Sequence, residues 1–428
     1  MLISTNYSRN LIRLLKTHFL NYDLLSVRLI LLTLWVLILI IISQLARIHQ
    51  GLLILNIVIL TVRLVLTFLV SNIFLFYFLF EISLIPIFLI IMGWGYQPER
   101  LKAGIFLFFY TLFASLPLLI TIMLLLKYMM SQRLVINLLS RHNFNNYSSV
   151  FVYFTLLAAF IVKFPIFIFH AWLPKAHVEA PVSGSIVLAA VLLKLGGYGA
   201  LRIIVFLSVD WIILLIVSIS LVGGGLLRVI CMSQRDIKVV IAYSSVVHMA
   251  LVIAGLLSLS MLGYEGGIII MLAHGVCSSG IFSAANIIYI RSHSRSYYFN
   301  KGILNTRAFF WIIWFLLTMA NFGGPFTYNL LGEIILILNL RVLRTPGLTA
   351  ITILSFFSAA YRLILFSSTQ QGQILIGVGN TKLITGDEIL ILIRHTWPLI
   401  FLPLFLVNFY FRLKILKSYN KWALIKFY

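Results

Sequence analysis

Long apolar segments separated by short polar stretches make up most of the chain. A helix that crosses a bilayer needs about 20 apolar residues, and about twelve segments of the sequence meet this requirement. The predicted spans are 24–44, 52–70, 72–93, 103–126, 150–170, 182–207, 210–231, 237–260, 264–290, 308–339, 346–367 and 389–410. The pattern therefore predicts an all-α fold, a polytopic transmembrane helical bundle.

Helix breakers interrupt the apolar pattern at two places. Gly323, Gly324 and Pro325 lie near the middle of the tenth segment, which predicts two half-helices. Around the fifth segment, the prolines at positions 165, 174 and 181 exclude one straight helix, because each removes an N–H and clashes with the preceding turn. Paired interruptions are typical of inverted repeats, so we predict five-helix repeats at 52–207 and 210–367, each with its fourth helix broken.

Four further segments lie outside the predicted repeats. Residues 1–23 combine basic side chains with Leu, Ile and Phe, which indicates an amphipathic segment on the bilayer surface. Residues 24–51 form a peripheral transmembrane helix and loop, and 389–410 form the last span. The tail 411–428 mixes Lys and Arg with aromatic residues, as interfacial anchors do.

Composition excludes a soluble globular protein. The chain is 62% hydrophobic and only 10% charged, with a mean hydropathy of +1.09. Its net charge of +22 comes from Lys and Arg scattered over short loops and ends, which favours a membrane surface over nucleic acid as the partner. Cys231 and Cys277 show no CxxC spacing, so neither a metal site nor a disulfide framework is supported.

Ionisable residues lie deep inside the apolar segments at Glu81, Lys163, Lys194 and Glu333. A charge at the bilayer centre costs about 2.5–3.5 kcal/mol, so it has to be paired, neutralised or functional. Lys163 and Lys194 have long apolar flanks and cannot easily reach a headgroup, which favours an ion or proton path. For Lys175, in a predicted loop, snorkelling to the interface is the preferred interpretation.

Three histidines accompany these residues. His170 lies in the same stretch as Lys163, and His248 and His274 lie in successive predicted spans. A lone buried histidine is more often a hydrogen-bonded core residue than a proton relay. Both interpretations stay open for His248 and His274, because the chain already buries Glu and Lys.

Several motifs together closely resemble a known family. These are FEISLIPIFLIIMGWGYQPERLKAG, FHAWLPKAHVEAPVSGS, LLKLGGYG, DIKVVIAYSSVVHM, AHGVCSSG and NLLGEI. They resemble the chain 4 family of mitochondrial NADH:ubiquinone oxidoreductase (respiratory complex I), whose members are also similar to subunits of sodium/proton antiporters. The resemblance covers about residues 24 to 410. It implies a mitochondrially encoded, multi-pass, antiporter-like subunit of the membrane arm, located in the inner mitochondrial membrane.

The resemblance also assigns roles to the buried residues. Glu81 matches the acidic partner of the proton channel, Lys163 the lysine of the broken helix, and Lys194 the central connecting lysine. The acidic residue of the second broken helix is matched by Glu333, and the linking polar axis by His170, His248 and His274. The implied partners are neighbouring antiporter-like chains, other membrane-arm and accessory subunits, and lipid, including cardiolipin. The complex uses NADH and ubiquinone.

No cofactor is expected on this chain itself, because the sequence contains no Rossmann glycine pattern and no cysteine cluster. Quinone reduction would therefore belong to the assembly, and this chain would carry protons only. Two other classes remain open. A stand-alone or multi-subunit sodium/proton antiporter would use the same buried residues, whereas a structural membrane scaffold would need neither Glu81 nor Lys163 inside the bilayer.

The sequence departs from the family in two ways. Family members usually begin with two further hydrophobic helices, in place of the 23 mostly polar residues here. In addition, arginines lie in or beside spans without an acidic residue nearby in sequence, at Arg63, Arg228, Arg341 and Arg362. We hypothesise that some are serines in the mature protein, because invertebrate mitochondria read AGA and AGG as serine. Finding arginine at Arg63 and Arg341 by peptide mass measurement would end this hypothesis.

Overall fold

The computed structural model of the chain describes residues 23–45, 51–129, 146–204, 210–302, 308–340, 345–372 and 384–419. Its first half contains α1 Leu24–Leu45, α2 Gly51–Leu69, α3 Ile73–Ile82, α4 Leu84–Trp94, α5 Arg100–Met129, α6 Asn146–Lys163, α7 Trp172–Glu179, α8 Val182–Val187 and α9 Leu193–Ile203. A π-helical segment, Leu188–Leu192, joins α8 to α9.

The second half of the chain is also helical. It contains α10 Asp210–Ser233, α11 Ile237–Leu257, α12 Met261–Ser292, α13 Ala308–Asn321, α14 Tyr328–Leu340, α15 Thr345–Gln370 and α16 Gly386–Tyr419. Each of the twelve predicted apolar segments overlaps at least one of these helices, and among the described residues eight stretches are long and apolar enough to cross a membrane by themselves. The predicted fold class, a polytopic helical bundle, is confirmed.

Three helical stretches form the centre of the bundle. In the most apolar 18-residue part of Val182–Ile203, Ile237–Leu257 and Met261–Ser292, 89% of the residues are buried, whereas the same share is 39–50% in the outer spans. α12 contacts helices from both halves of the chain, including α1, α8, α11, α14 and α16. Polar groups on the three central stretches are therefore shielded from lipid by protein.

The span at 73–94 is interrupted where Pro86 removes a backbone hydrogen bond. Proline at this position leaves the carbonyl four residues earlier without its helical donor, and that carbonyl belongs to Ile82. The Arg63 side chain donates to the Ile82 carbonyl at 3.1 Å. The break between α3 and α4 falls at Ser83, two residues after Glu81. The proline thus fixes where backbone carbonyls become available next to a buried carboxylate.

The first predicted break, around the fifth apolar segment, also lies beside a proline. α6 ends at Lys163, two residues before Pro165, and a short 3-10 turn at Phe167–Phe169 precedes α7. The indole N–H of Trp172 donates to the freed Val162 carbonyl at 2.9 Å. The end of the helix that carries Lys163 is therefore held by a side chain from the next helix.

The second predicted break separates α13 from α14. Gly323 adopts a φ of +72°, a conformation that L side chains rarely adopt, and the Asn329 side chain donates to the buried Ala320 carbonyl at 2.8 Å. A Cβ on Gly323 would lie 2.7 Å from Oε2 of Glu333, so the glycine lets the carboxylate approach the broken backbone. The prediction of two half-helices is confirmed.

Some predictions remain untested by the described residues. The amphipathic segment predicted at 1–23 lies outside them except for Asp23, as do Arg341 and the end of the tail at 420–428. Both interrupted helices occur at the predicted places, but the assignment of inverted repeats to 52–207 and 210–367 stays a prediction.

Candidate functional site

Lys163 lies at the break between α6 and α7, and its side chain contacts the backbone of Phe80, next to Glu81. Its side chain is 3% exposed, and Nζ donates to the Phe80 carbonyl at 2.9 Å. The ammonium also lies 3.2 Å from the centroid of the Phe80 ring, a cation–π contact. Burial removes the hydration of the ammonium, and these two contacts replace part of it.

Glu81 is the neighbouring carboxylate, but it does not form a direct ion pair with Lys163. Both of its oxygens are buried without a hydrogen bond of normal geometry, and its polar neighbours include Ser115 and Lys163. The carboxylate of Glu81 interacts electrostatically with the ammonium of Lys163. The structure thus brings the two residues close enough to interact electrostatically, without a direct ion pair between them.

Lys194 occupies the centre of the bundle. It is fully buried, and Nζ donates to the Ala189 carbonyl at 2.6 Å. Ala189 belongs to the π-helical segment, where the ordinary helical pairing of carbonyls is altered. Nζ also lies 3.1 Å from Nδ1 of His274. The lysine is therefore held between an irregular backbone turn and a titratable ring.

Two histidines continue from Lys194 toward the second helix break. The rings of His274 and His248 lie 5.3 Å apart between centroids, and both side chains are buried. Nδ1 of His248 lies 3.6 Å from Oε1 of Glu333. Close neighbours thus follow one another from Lys194 through His274 and His248 to Glu333, and we call these four residues the central row.

The Glu81–Lys163 pair and the central row are separate parts of the site. No described contact joins Lys163 to Lys194, although their helices pack closely at Gly196. A Cβ on Gly196 would lie 2.9 Å from the backbone N and the Cβ of Phe164. The absence of a side chain at Gly196, together with Gly197 and Gly199, which pack on Phe164 and Phe160, allows α9 to approach the end of α6 this closely.

His170 and Lys175 lie away from the central row. The His170 ring is stacked on Phe167, contacts the Phe167 carbonyl through Nδ1 and lies 5.9 Å from the ring of Tyr243. These contacts do not reach the central row, so the role of His170 in the polar axis stays a prediction. Lys175 is exposed and lies 4.1 Å from the Phe106 ring centroid, which agrees with snorkelling along apolar surface.

The structure adds two arginines that the sequence did not connect with the site. Arg362 is 2% exposed and its Nη2 lies 2.6 Å from Nε2 of His248. The charges of Arg228 and Arg362 both act on Glu333, so an acidic residue does neighbour them in space. This proximity could not be inferred from the sequence, because the three residues lie on different helices. The serine hypothesis stays a prediction for positions 228 and 362.

Comparison with known proteins finds a matching family model and relatives similar in sequence. The family model described as NADH:quinone oxidoreductase/Mrp antiporter, transmembrane region, matches residues 70–358. The chain is 44% identical to NADH-ubiquinone oxidoreductase chain 4 of Ceratitis capitata over 394 residues, 90% of this chain and 86% of that protein. It is 48% identical to the corresponding protein of Aedes aegypti over 330 residues, 76% and 72% of the two chains.

Solved structures share the fold. A chain of respiratory complex I from Thermus thermophilus superposes with a TM-score of 0.82 at 24% identity, covering 90% of this chain and 82% of that one. A chain of the Mrp complex from Dietzia superposes with a TM-score of 0.73 at 18% identity, covering 82% and 67%.

Proposed function

The chain belongs to the NADH:quinone oxidoreductase/Mrp antiporter family of membrane proteins, and we propose that it translocates protons as an antiporter-like subunit of respiratory complex I. The proposed location of the chain is the inner mitochondrial membrane. The observation that carries the proposal is the central row, in which Lys194, His274, His248 and Glu333 follow one another inside the bundle. A proton path requires groups that exchange protons, that lie one after another in space and that are shielded from lipid.

Lys163 is the proposed loading site of the path. While Glu81 is ionised, its charge stabilises the buried ammonium of Lys163. When Glu81 takes up a proton or moves away, burial of the ammonium is no longer offset, and Lys163 releases its proton. The absence of a direct ion pair supports this role, because a tight pair would hold the proton more firmly.

From Lys163 the proton passes to Lys194 and then along the central row to Glu333. Water has to bridge the step between Lys163 and Lys194, because no side-chain contact spans it. Lys194 and the two histidines interact closely, so we expect them to titrate as a coupled set rather than one by one. Each interrupted helix supplies one end of the path, in keeping with the proposed repeats at 52–207 and 210–367.

Redox chemistry is assigned to other subunits of the complex, which uses NADH and ubiquinone. The proposed partners are the other membrane-arm subunits, including neighbouring antiporter-like chains and accessory subunits, and lipid such as cardiolipin. A largely apolar cavity of about 750 Å³ between α5, α6 and α10 supports such a covering, because large exposed apolar surfaces typically mark sites of contact with lipid or with another protein.

The test replaces Lys163 in the assembled complex. We expect Lys163→Ala to abolish proton translocation, and Lys163→Arg to do nearly the same, because a guanidinium stays charged and cannot release a proton. Translocation is measured in proteoliposomes and normalised to the amount of assembled complex. Normal proton transport and quinone reduction in both Lys163→Ala and Glu81→Ala would favour the structural scaffold instead. Transport by the isolated chain would favour a stand-alone antiporter.

A further inference from the structure

A second cluster of buried ionisable side chains lies beside the central row, where α7 ends and α11 begins. Glu179 and Lys238 are 5% and 3% exposed, and Arg295 lies 3.8 Å from the Glu179 carboxylate. Lys238 donates to the Ala180 carbonyl at 3.3 Å. We call Glu179, Lys238 and Arg295 the lateral cluster, and the proton path described above does not use it.

The backbone fixes the lateral cluster in place. Asp236 and Ser296 form an antiparallel bridge, in which Ile237 N–H donates to the Arg295 carbonyl at 3.0 Å. On the other side, Gly95 packs against the end of α7, since a Cβ there would lie 2.8 Å from the Glu179 carbonyl oxygen. Three separate segments of the chain therefore converge on these charges and hold them at one end of the central helices.

His177 lies between the lateral cluster and the central row. Its ring is fully buried and stacked on Phe282, with centroids 4.7 Å apart and an interplanar angle of 7°. The charges of Lys194 and Lys238 both act on it. Neither ring nitrogen has a hydrogen-bond partner among the described residues. A buried polar group left without a partner is costly, so we expect ordered water to join both nitrogens to their neighbours.

Lys194 has a donor available for such a water. An ammonium carries three N–H donors, and the described contacts of Nζ are the Ala189 carbonyl and His274. On the far side of His177, Oε2 of Glu179 is buried without a partner, and the charge of exposed Glu99 acts on Glu179. The ionisable groups thus continue from the centre of the bundle to its surface.

We propose that His177 is a proton relay, through which Lys194 exchanges protons with one face of the membrane by way of the lateral cluster and Glu99. This inference rests on the proposed function and adds a branch to it. The proton path would then be connected to solvent at Lys194, between Lys163 and Glu333, as well as at its two ends.

The transfer at His177 balances without a further reactant. Neutral imidazole accepts a proton on one ring nitrogen from the Lys194 side and releases the proton of the other nitrogen to Glu179 through water. One proton enters and one leaves, and the ring changes only its tautomer. Rotation of the ring or the reverse exchange restores the starting tautomer. Stacking on Phe282 restricts tilting of the ring, and the two nitrogens of an imidazole face different directions within the ring plane, so each can contact a different neighbour.

The experiment compares His177→Gln with two reference variants in the assembled complex. His395→Gln is the matched control, because His395 is also buried, has Nδ1 bonded to the Ile391 carbonyl at 2.8 Å and lies outside both clusters. Lys163→Ala reports on the proposed function itself. The measured quantity is the initial rate of proton translocation into proteoliposomes per assembled complex. A positioned proton-transfer group contributes about 10²- to 10⁴-fold, so we expect His177→Gln to lose about tenfold or more and His395→Gln to stay within about twofold.

A second measurement separates a relay from a purely structural role. Glu179→Gln removes the next group in the branch, so the double variant His177→Gln/Glu179→Gln should be no slower than the slower single variant. Multiplying losses would overturn the branch. A normal rate in His177→Gln together with a large loss in Lys163→Ala would also overturn it while leaving the proposed function intact. If His177→Gln does not assemble, Glu179→Gln alone decides, with the same tenfold expectation.

Discussion

Substitution of Gly196 by alanine tests whether close packing of α9 on α6 positions Lys163. The added Cβ would lie 2.9 Å from the backbone N and the Cβ of Phe164, whereas ordinary contact begins at 3.4 Å. The end of α6 must therefore shift by about 0.5 Å, and Lys163 precedes Phe164 directly. Overpacking of this kind typically costs about 1–3 kcal/mol. A 1 Å misplacement of a reacting group can lower the rate about 10²-fold. A shift of about 0.5 Å at Lys163 should therefore lower the rate of proton translocation roughly tenfold.

The assay measures proton translocation per assembled complex and the half-life of the complex during heating. Half-life is the appropriate stability measure, because unfolding of a large membrane assembly is irreversible. Gly93→Ala is the matched control: Gly93 also lies in a transmembrane helix, α4, but nothing lies within 4 Å of its Cβ position. Both variants gain the same helix propensity, about 0.5–1 kcal/mol. If Gly196→Ala matched Gly93→Ala in rate and half-life, the packing argument would be refuted.

Two further predictions concern the helix break and the arginines. Trp172→Phe removes the donor to the Val162 carbonyl while keeping an aromatic ring, and the unpaired buried carbonyl should destabilise the break by about 1–3 kcal/mol. A shorter half-life on heating checks this, and an unchanged one would contradict it. Peptide mass spectrometry of the natural protein should find serine at one or more of positions 63, 228, 341 and 362, whereas arginine at both 63 and 341 would end the hypothesis.

The sequence by itself predicted those features of the fold whose physical cause lies in a few neighbouring residues. Proline removes a donor and glycine permits a positive φ wherever they occur, so the breaks around Pro165 and Pro325 could be predicted without tertiary structure. The same holds for buried charges, since an apolar flank of about ten residues keeps Lys163 and Lys194 from reaching the membrane surface. Both the helical bundle and its two interrupted helices followed from these effects.

Only the tertiary structure decided which of these groups meet. Lys194 and His274 are neighbours at 3.1 Å although 80 residues separate them in sequence, and Arg362 contacts His248 across 114 residues. The π-helical turn at Leu188–Leu192, which exposes a carbonyl to Lys194, left no mark in the residue pattern. Such contacts depend on the packing of whole helices, and many distant apolar side chains determine that packing together.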